Sequence, residues 1–452
     1  MTQQRIYRRL GGVLLRAGQE HIGRHIPYPI RTRLRKMVGL PPKPRPWVVS
    51  EEGLLATTGK IEDRAASVDI ICFPIIDWDF RFQRPQQLMR ALAARGHRIF
   101  WIDPDSLLTG AHLEPGAAPR LSLIEKGIFR VKPGMAEACN LYTDTLNEAN
   151  QAALVASLRE LARREGISTA ASIVQLPFWS DAALALRDRG WRVLYDCMDD
   201  HEGFATNDAE MIGREKRLAE DADEIVVTSR ALATKLAFSA KPLHRIPNAG
   251  DFDHFANPSP ESPAGLPKIE GPVIGYFGAI SAWFDFDLLR DAAAKHPEWT
   301  FLLIGSTFGA PQHDDLKALP HVHFLGEKPY SELPAWLARF DVATIPFQST
   351  PLIEATDPVK AYEYMAAGKA IVAPNQANLR EVLTHGSDAL LFEPGVPEEM
   401  CAAVAQLAKE RTMRVEMGQQ ARQRLEGQRY TWDANAERVE NIALECVEGS
   451  SS

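Results

Sequence analysis

A lysine and a glutamate three residues apart stand at the start of a predicted helix in the second half of the chain. Asp357 and Pro358 precede Lys360 and Glu363, which predicts Asp357 as the N-cap and Pro358 as the first helical residue. A helix N-terminus attracts phosphate, and a lysine in the first turn adds to that attraction. A carboxylate one turn further along can accept hydrogen bonds from both hydroxyls of a ribose. The pattern therefore predicts a nucleotide diphosphate site. The alternative is a surface ion pair that contributes about 0.2–0.5 kcal/mol.

Two arginines follow the first apolar run of the chain. Arg81 and Arg84 lie at the predicted carboxyl edge of a sheet, where they could contact an acceptor phosphate or donor phosphates. The alternative is a loop that faces solvent. Asp77 and Asp79 just before them form a DxD pattern, which taken alone is weak evidence for a metal. Because the chain has two βα series, we expect no obligatory metal.

An acidic segment follows another predicted strand. Clustered carboxylates raise one another's pKa and can accept a proton, and a histidine beside them is held in one tautomer. We therefore place Asp200 or His201 near an acceptor hydroxyl. The alternative is an acidic loop whose aspartates cap a helix at 208–221. The ionisable residues of this segment are Asp196, Asp199, Asp200, His201 and Glu202.

Strands and helices alternate along most of the chain. The run at 68–73, the helical pattern at 86–95 and the run at 98–102 form a βαβ unit, which implies a parallel sheet. Two such series predict an α/β fold with two facing, doubly wound Rossmann-like domains and a site in the cleft between them. The predicted parts are an N-terminal arm at 1–66, an acceptor domain at 67–255, a linker at 256–271, a nucleotide-sugar domain at 272–428, and a helix with a tail at 429–452.

The segment around Lys360 resembles the donor helix of retaining GT-B glycosyltransferases of the group 1, or family 4, type. Thr356, Pro358, Lys360 and Glu363 reproduce the Thr/Asn-x-Pro-x-Lys-x-x-Glu-Tyr pattern of bacterial members, and 363–368 is similar to the end of that helix. The sequence Ile-Pro-Asn-Ala-Gly-Asp at 246–251 resembles the start of the interdomain segment in this family. Phe-Leu-Gly at 324–326 and Tyr-Thr-Trp at 430–432 are similar to two further family segments. The resemblance spans about residues 68–445.

This resemblance implies a glycosyltransferase that moves a sugar from a nucleotide diphosphate donor to a cell-surface polysaccharide or lipid-linked glycan with retention. It places the donor on Gly278, Gly326, Thr356, Lys360 and Glu363. The segment at 77–87 resembles the Trp…Arg-Pro-Gln opening of bacterial polysaccharide enzymes. The sequence departs from the family after Gly278, where the usual arginine and lysine are missing. Two alternatives stay open: a sugar-nucleotide 2-epimerase of the same fold, and a non-catalytic nucleotide-sugar-binding homologue.

The charge is distributed unevenly. Residues 1–46 hold eleven Lys/Arg and one Glu, a balance of +10 in a chain of net −8, which leaves −18 for the rest. An acidic body argues against nucleic acid as a partner, whereas the basic arm could bind an anionic membrane surface. The alternative is a solvated linker. Five scattered cysteines and no long apolar run predict a cytoplasmic protein, peripheral on the inner membrane if the arm binds it.

Overall fold

The computed structural model describes residues 68–110, 112–204, 207–257 and 261–448. The N-terminal arm at 1–66, which includes the basic segment 1–46, and two prolines of the predicted linker, Pro258 and Pro260, lie outside the described residues. None of the helices in the described ranges has the length and hydropathy needed to cross a membrane.

Eight strands are described in the first part of the chain and six in the second. The strands of the first part are β1 (Asp69–Phe73), β2 (Ile99–Ile102), β3 (Arg120–Glu125), β4 (Ile128–Lys132), β5 (Ala170–Val174), β6 (Arg192–Cys197), β7 (Glu224–Val227) and β8 (Leu243–Arg245). The helices along this part of the chain are α1 (Arg84–Ala94), α2 (Pro104–Thr109), α3 (Glu148–Glu165), α4 (Ser180–Leu184), α5 (Ala209–Asp221), α6 (Arg230–Lys235) and α7 (Phe252–Ala256).

The chain divides into two compact units. One unit holds the described residues up to Arg81, together with Ala93–Ile173 and Asp181–Trp191. The other holds Phe82–Leu92, Val174–Ser180 and the described residues from Arg192 onward. The domain boundaries predicted from the sequence stay a prediction.

Within the first unit the strands run in the order β3-β4-β2-β1-β5. β1 pairs in parallel with β2, and β2 pairs in parallel with β4. β3 pairs antiparallel with β4 at the edge. The alternation of strands and helices missed this hairpin, because only two residues separate its strands and no helix lies between them.

Within the second unit β6, β7 and β8 are parallel neighbours. Asp208 and Ser229 cap the helices that follow β6 and β7, since their side chains accept from the backbone N–H three residues later. The N-cap at Asp208 means that the aspartates at 196–200 do not cap the helix at 208–221, so that alternative is wrong.

The second sheet is parallel throughout, in the order β11-β10-β9-β12-β13-β14. This is the doubly wound order, in which the chain reverses direction across the sheet between the first strand, β9, and its neighbour β12. Its strands are β9 (Val273–Phe277), β10 (Thr300–Ile304), β11 (Val322–Gly326), β12 (Val342–Thr344), β13 (Ala370–Pro374) and β14 (Ala389–Phe392). The helices are α8 (Phe286–Lys295), α9 (Asp314–Lys317), α10 (Leu333–Leu337), α11 (Pro351–Ala355), α12 (Val359–Ala366), α13 (Ala377–Arg380), α14 (Pro397–Lys409), α15 (Arg411–Gly427) and α16 (Trp432–Glu448).

The strands of this sheet read as short apolar runs because helices cover both faces. β9, β10 and β13 are buried along their whole length. Each fully buried Val, Leu, Ile or Phe side chain contributes about 1.5–3 kcal/mol through removal of its surface from water. The predicted fold class, α/β with two doubly wound Rossmann-like sheets, is confirmed.

Candidate functional site

Glycines stand at the carboxyl ends of three neighbouring strands in the second sheet. Gly278 follows β9, Gly305 follows β10 and Gly326 ends β11. The Gly278 N–H donates to Ile304 O at 2.8 Å, and the Gly305 N–H donates to Gly326 O at 3.0 Å. Gly278 and Gly326, both predicted to bind the sugar donor, therefore lie at the same carboxyl-terminal edge of the sheet. The strand order reverses beside them, next to β9. This edge is where open α/β sheets bind ligands.

Lys360 reaches this edge from helix α12. A β-carbon placed on Gly278 would overlap the Lys360 Cε atom and lie 2.8 Å from Nζ. The ammonium group stands 5.8 Å from the ring centroid of Tyr276 and 5.4 Å from that of Phe347. The absence of a side chain at Gly278 thus permits the lysine to cross the end of β9, so the two predicted residues meet.

Helix α12 starts one residue later than the sequence predicts. Its first residue is Val359, and Pro358 occupies the N-cap position without a side-chain capping bond. The prediction that Asp357 caps this helix is wrong, because its carboxylate accepts from the Asn248 N–H at 2.5 Å and from the Tyr362 hydroxyl at 2.9 Å. Thr356 is the C-cap of α11, and its hydroxyl donates to Ile353 O at 2.7 Å.

Glu363 is buried, with 6% of its surface exposed. Loss of hydration raises its pKa to about 8; Lys360 opposes the rise and Asp251 adds to it. Among the described residues, none donates a hydrogen bond to this carboxylate. Burial rules out the alternative of a surface ion pair between Lys360 and Glu363. A buried acceptor without a donor fits a ligand that brings hydroxyl groups.

Asp251 and Tyr330, which the sequence analysis did not select as site residues, lie near Glu363, and Gln87 is hydrogen-bonded to both of them. Gln87 donates from Nε2 to the Tyr330 hydroxyl at 2.8 Å and to Asp251 at 3.3 Å. Burial raises the pKa of Tyr330 well above its usual value, and Glu363 and Asp251 raise it further. The Tyr330 ring stacks on His254, with centroids 4.4 Å apart. Gln87 and Asp251 belong to motifs quoted above, but no spacing in the sequence shows that they meet.

Arg84 forms a buried ion pair within the fold. Its guanidinium contacts both carboxylate oxygens of Asp196, the closest at 2.8 Å, and its remaining nitrogen donates to Ile246 O and Pro247 O. Both side chains are buried. This geometry gives Arg84 a structural role, in place of the phosphate contact predicted from its position after a strand.

Arg81 and the DxD pattern lie in the first unit. The Arg81 guanidinium stands over the Phe80 ring at 4.8 Å. Asp77 and Asp79 both face Arg130, at 3.6 and 3.0 Å. Burial and the neighbouring carboxylate of Asp103 raise the pKa of Asp77 to about 7, although Arg130 lowers it. Across the described ranges, no group of three or more His, Cys, Asp or Glu residues is placed to hold a metal.

Asp200 and His201 belong to a network around Lys235. The lysine ammonium lies 2.6 Å from Asp200 and 2.9 Å from the buried Glu215, which also accepts from the Tyr195 hydroxyl. His201 is buried, its Nε2 has no hydrogen-bond partner in the described part of the chain, and burial lowers its pKa. A salt-bridged aspartate and a neutral, buried histidine are poor proton acceptors in this arrangement. Their role toward an acceptor stays a prediction.

Residues 271–410 match the family model described as glycosyl transferases group 1. This range contains the six-stranded sheet, Gly278, Lys360 and Glu363. Over this range the chain is therefore similar to group 1 glycosyltransferases.

Two curated relatives match part of the chain. A protein of Bacillus subtilis (strain 168) with the provisional name teichuronic acid biosynthesis glycosyltransferase TuaH is 28% identical over 200 residues, 41% of this chain and 50% of that protein. The 2-deoxystreptamine glucosyltransferase of Streptomyces kanamyceticus is 27% identical over 194 residues, 39% of this chain and 48% of that protein. The chain thus spans about half the length of these relatives.

Solved structures match over most of the chain. Sucrose-phosphate synthase from Thermosynechococcus elongatus superposes with a TM-score of 0.65 at 18% identity, covering 86% of this chain and 100% of that one. HepE of Anabaena in complex with UDP and glucose gives a TM-score of 0.60 at 18% identity, covering 83% and 99%. At this identity the likeness shows the fold, which is that of GT-B glycosyltransferases.

Proposed function

We propose that this chain transfers a sugar from a nucleotide diphosphate donor to a cell-surface polysaccharide or a lipid-linked glycan. One observation carries the proposal. The buried carboxylate of Glu363 accepts no hydrogen bond from any described residue. It lies one helical turn from Lys360, whose side chain crosses the end of β9 at Gly278. That arrangement stands inside a segment that matches group 1 glycosyltransferases.

In this proposal Glu363 accepts hydrogen bonds from the two ribose hydroxyls of the donor. The start of α12 and Lys360 face the diphosphate. Gly278 makes room for Lys360 at the end of β9, and Gly326 and Thr356 are the further residues that the proposal places on the donor. HepE is a structural neighbour seen with UDP-glucose, which makes UDP-glucose the first donor to test.

The proposed chemistry is transfer with retention, as the family resemblance implies. The acceptor oxygen forms a bond to the anomeric carbon on the face from which the nucleotide diphosphate departs. The departing phosphate oxygen takes the acceptor proton, so charge balances without a separate base. The chain must then stabilise the diphosphate, and loss of one such electrostatic contact typically costs about 3–4 kcal/mol.

In this proposal Lys360 acts without the arginine and lysine that the family resemblance leads one to expect after Gly278. No arginine or lysine occurs between Gly278 and Arg290. Lys360 is therefore the cation that this proposal places on the diphosphate, together with backbone amides at the strand edge and the N-terminus of α12. We propose no obligatory metal.

A glycan acceptor is supported by the name of the Bacillus relative, which assigns that protein to teichuronic acid biosynthesis. The basic arm at 1–46 would hold the protein at an anionic inner-membrane surface, close to such an acceptor. The 2-epimerase alternative gains no support, because both curated relatives described above are named as glycosyltransferases.

The proposal is tested by binding and turnover of UDP-, GDP-, dTDP- and ADP-sugars, first by thermal shift and then by release of nucleotide diphosphate. A ligand at 100 times its Kd should stabilise the wild type by about 2.7 kcal/mol. Glu363→Ala and Lys360→Met should lose this effect. Glu416→Gln and Lys409→Met, at exposed positions on α15 and α14, are the matched controls and should keep it.

Two results would overturn the proposal. One is a wild type that none of these nucleotide sugars stabilises. The other is a Glu363→Ala variant that binds as tightly as the wild type, since the site would then lie elsewhere.

A further inference from the structure

Helix α12 is fixed to a segment of the chain that lies more than a hundred residues earlier. The segment is Pro247–Ala256, which includes α7, and it contacts α12 near its start, along its length and at its end. The contacts join backbone and buried side chains, so they fix the position of the helix in a way that exposed ion pairs would not.

At the start of the helix, Asp357 and Asn248 are joined by two hydrogen bonds. The Asn248 N–H donates to the Asp357 carboxylate at 2.5 Å, and the Asn248 side-chain amide donates to Asp357 O at 2.6 Å. Both residues are buried. The Asp357 carboxylate also accepts from the Tyr362 hydroxyl at 2.9 Å, which ties it to the second turn of α12.

Along the helix, Gly250 lies directly against the backbone. A β-carbon at Gly250 would stand 2.8 Å from Tyr362 O. The Gly250 N–H donates to Tyr430 O at 3.0 Å. Only a glycine permits this approach, so the segment and the helix are in backbone contact beside Glu363.

At the end of the helix, Arg422 from α15 joins both elements. Its Nε donates to Ala366 O, the last residue of α12, at 2.9 Å. Its second terminal nitrogen donates to Ala256 O, the last residue of α7, at 2.6 Å. One guanidinium therefore satisfies carbonyls at the C-termini of two helices.

From these contacts we infer that Asp357 is a positioning residue for the donor site. It fixes the start of α12 through Asn248 and Tyr362, and the orientation of that helix sets where Lys360 and Glu363 stand. The inference rests on the proposed function. No side chain caps the N-terminus of α12, and the Asp357 contacts with Asn248 and Tyr362 anchor the chain where the helix begins.

The reason for a buried carboxylate here is geometric. A carboxylate accepts several hydrogen bonds in its plane, so Asp357 can take the Asn248 N–H and the Tyr362 O–H together. An asparagine at this position is neutral and keeps one acceptor oxygen, so the charge-assisted hydrogen bonds from the Asn248 N–H and the Tyr362 O–H are weakened or lost. The first turn is then held less firmly, and Lys360 and Glu363 lose their fixed positions with it.

The test compares Asp357→Asn with Asp388→Asn. Asp388 is also a buried carboxylate that accepts a backbone N–H, from Thr384 at 2.6 Å, but it lies at the start of β14. The Kd for UDP-glucose, or for the GDP-, dTDP- or ADP-sugar that the wild type binds, is measured by calorimetry. Denaturant unfolding of each variant is measured in parallel.

We expect Asp357→Asn to raise Kd at least tenfold, and Asp388→Asn to lose similar stability with Kd unchanged. Tyr362→Phe removes only the hydroxyl that donates to Asp357, and should raise Kd at least threefold. If Asp357→Asn does not fold, the Kd of Tyr362→Phe is compared with that of Asp388→Asn in its place.

Unchanged Kd in Asp357→Asn or, in its place, Tyr362→Phe would overturn the inference and leave the proposed function intact. Equal weakening in the Asp388→Asn variant would also overturn it, because the effect would then follow general destabilisation. A wild type that binds no nucleotide sugar removes the proposed function and this inference together.

Discussion

The side chain of Lys360 occupies the space where a β-carbon on Gly278 would have to stand. Gly278 also has φ +137°, which residues with a side chain rarely adopt. The position of the lysine therefore depends on the glycine: the Lys360 side chain can cross the end of β9 in this way only while position 278 has no side chain.

Gly278→Ala should displace Lys360 and strain the backbone. Strain of this kind costs about 1–3 kcal/mol, and the Kd for the nucleotide sugar should rise at least tenfold. Denaturant unfolding and calorimetry measure the two effects. The control is Gly213→Ala within α5, where the nearest atom is the end of the Arg217 side chain at 3.7 Å. That change should stabilise the fold by about 0.5–1 kcal/mol. Unchanged affinity in Gly278→Ala would mean that the position of Lys360 does not matter for binding.

The affinity for the nucleotide sugar should rise with pH. Burial raises the pKa of Glu363 from 4.5 to about 8, whereas hydroxyl donors of a ligand favour the ionised form. Binding should therefore release a proton, and affinity should increase between pH 6 and pH 8.5. Titration calorimetry in buffers of different ionisation enthalpy measures the released proton. Glu363→Gln should bind weakly and without this dependence, and Glu416→Gln should behave as the wild type.

The stability of the unliganded fold should change with pH in the opposite direction to the affinity, because of the same Glu363 carboxyl group. Because its pKa is higher in the folded than in the unfolded chain, the unfolded chain releases the proton first as pH rises. The contribution of Glu363 to stability therefore falls from about pH 4.5 to about pH 8 in the absence of ligand. Glu363→Gln should remove that part of the decline. A wild type and a Glu363→Gln variant with parallel stability profiles would contradict the raised pKa.

Arg84→Met and Arg81→Met should differ in stability although the residues lie three positions apart. Arg84 pairs with Asp196, both at most 2% exposed, and its loss leaves a buried carboxylate without a cation. Loss of one partner of such a pair costs about 3–5 kcal/mol. Arg81 contacts the half-exposed Phe80 ring, a contact that contributes about 0.5–1 kcal/mol. Urea unfolding of both variants measures the difference, and equal losses would contradict the structural role of Arg84.

Deletion of residues 1–46 should abolish binding to anionic vesicles. The segment has a charge balance of +10, and each cation near the headgroups contributes about 1 kcal/mol. Sedimentation with vesicles that contain phosphatidylglycerol measures binding, and 0.5 M salt should weaken it. Vesicles of phosphatidylcholine alone are the control. Full-length protein that stays in the supernatant with anionic vesicles at low salt would contradict the membrane hypothesis.

The fold could be predicted largely because each strand is a short apolar run followed by a helix with a recognisable boundary. The strand at Val273–Phe277 and the positive φ of Gly368 after α12 agree with the sequence prediction. The β3–β4 hairpin was missed, since an antiparallel edge strand with partly exposed residues breaks the βα alternation.

The site was predictable where function depends on spacing along one helix, as for Lys360 and Glu363. It was not predictable where a partner lies far away in the chain. Arg84 was assigned to phosphate because nothing in the sequence shows Asp196 beside it, 112 positions away. The pattern Asp357-Pro358 predicts a helix cap, but the Asp357 carboxylate bonds instead to the Asn248 N–H, which lies 109 positions away in the sequence.

The contacts around α12 set a limit on how the molecule can be divided. A separately produced fragment that began after Ala256 would keep Lys360, Glu363 and the whole six-stranded sheet. It would lose the Asn248 donors to Asp357, the Gly250 donor to Tyr430 O and the Pro247 carbonyl that accepts from Asn435. Exchange of the half that holds the six-stranded sheet between proteins of this fold should therefore carry Pro247–Ala256 along, so that the splice lies ahead of Pro247.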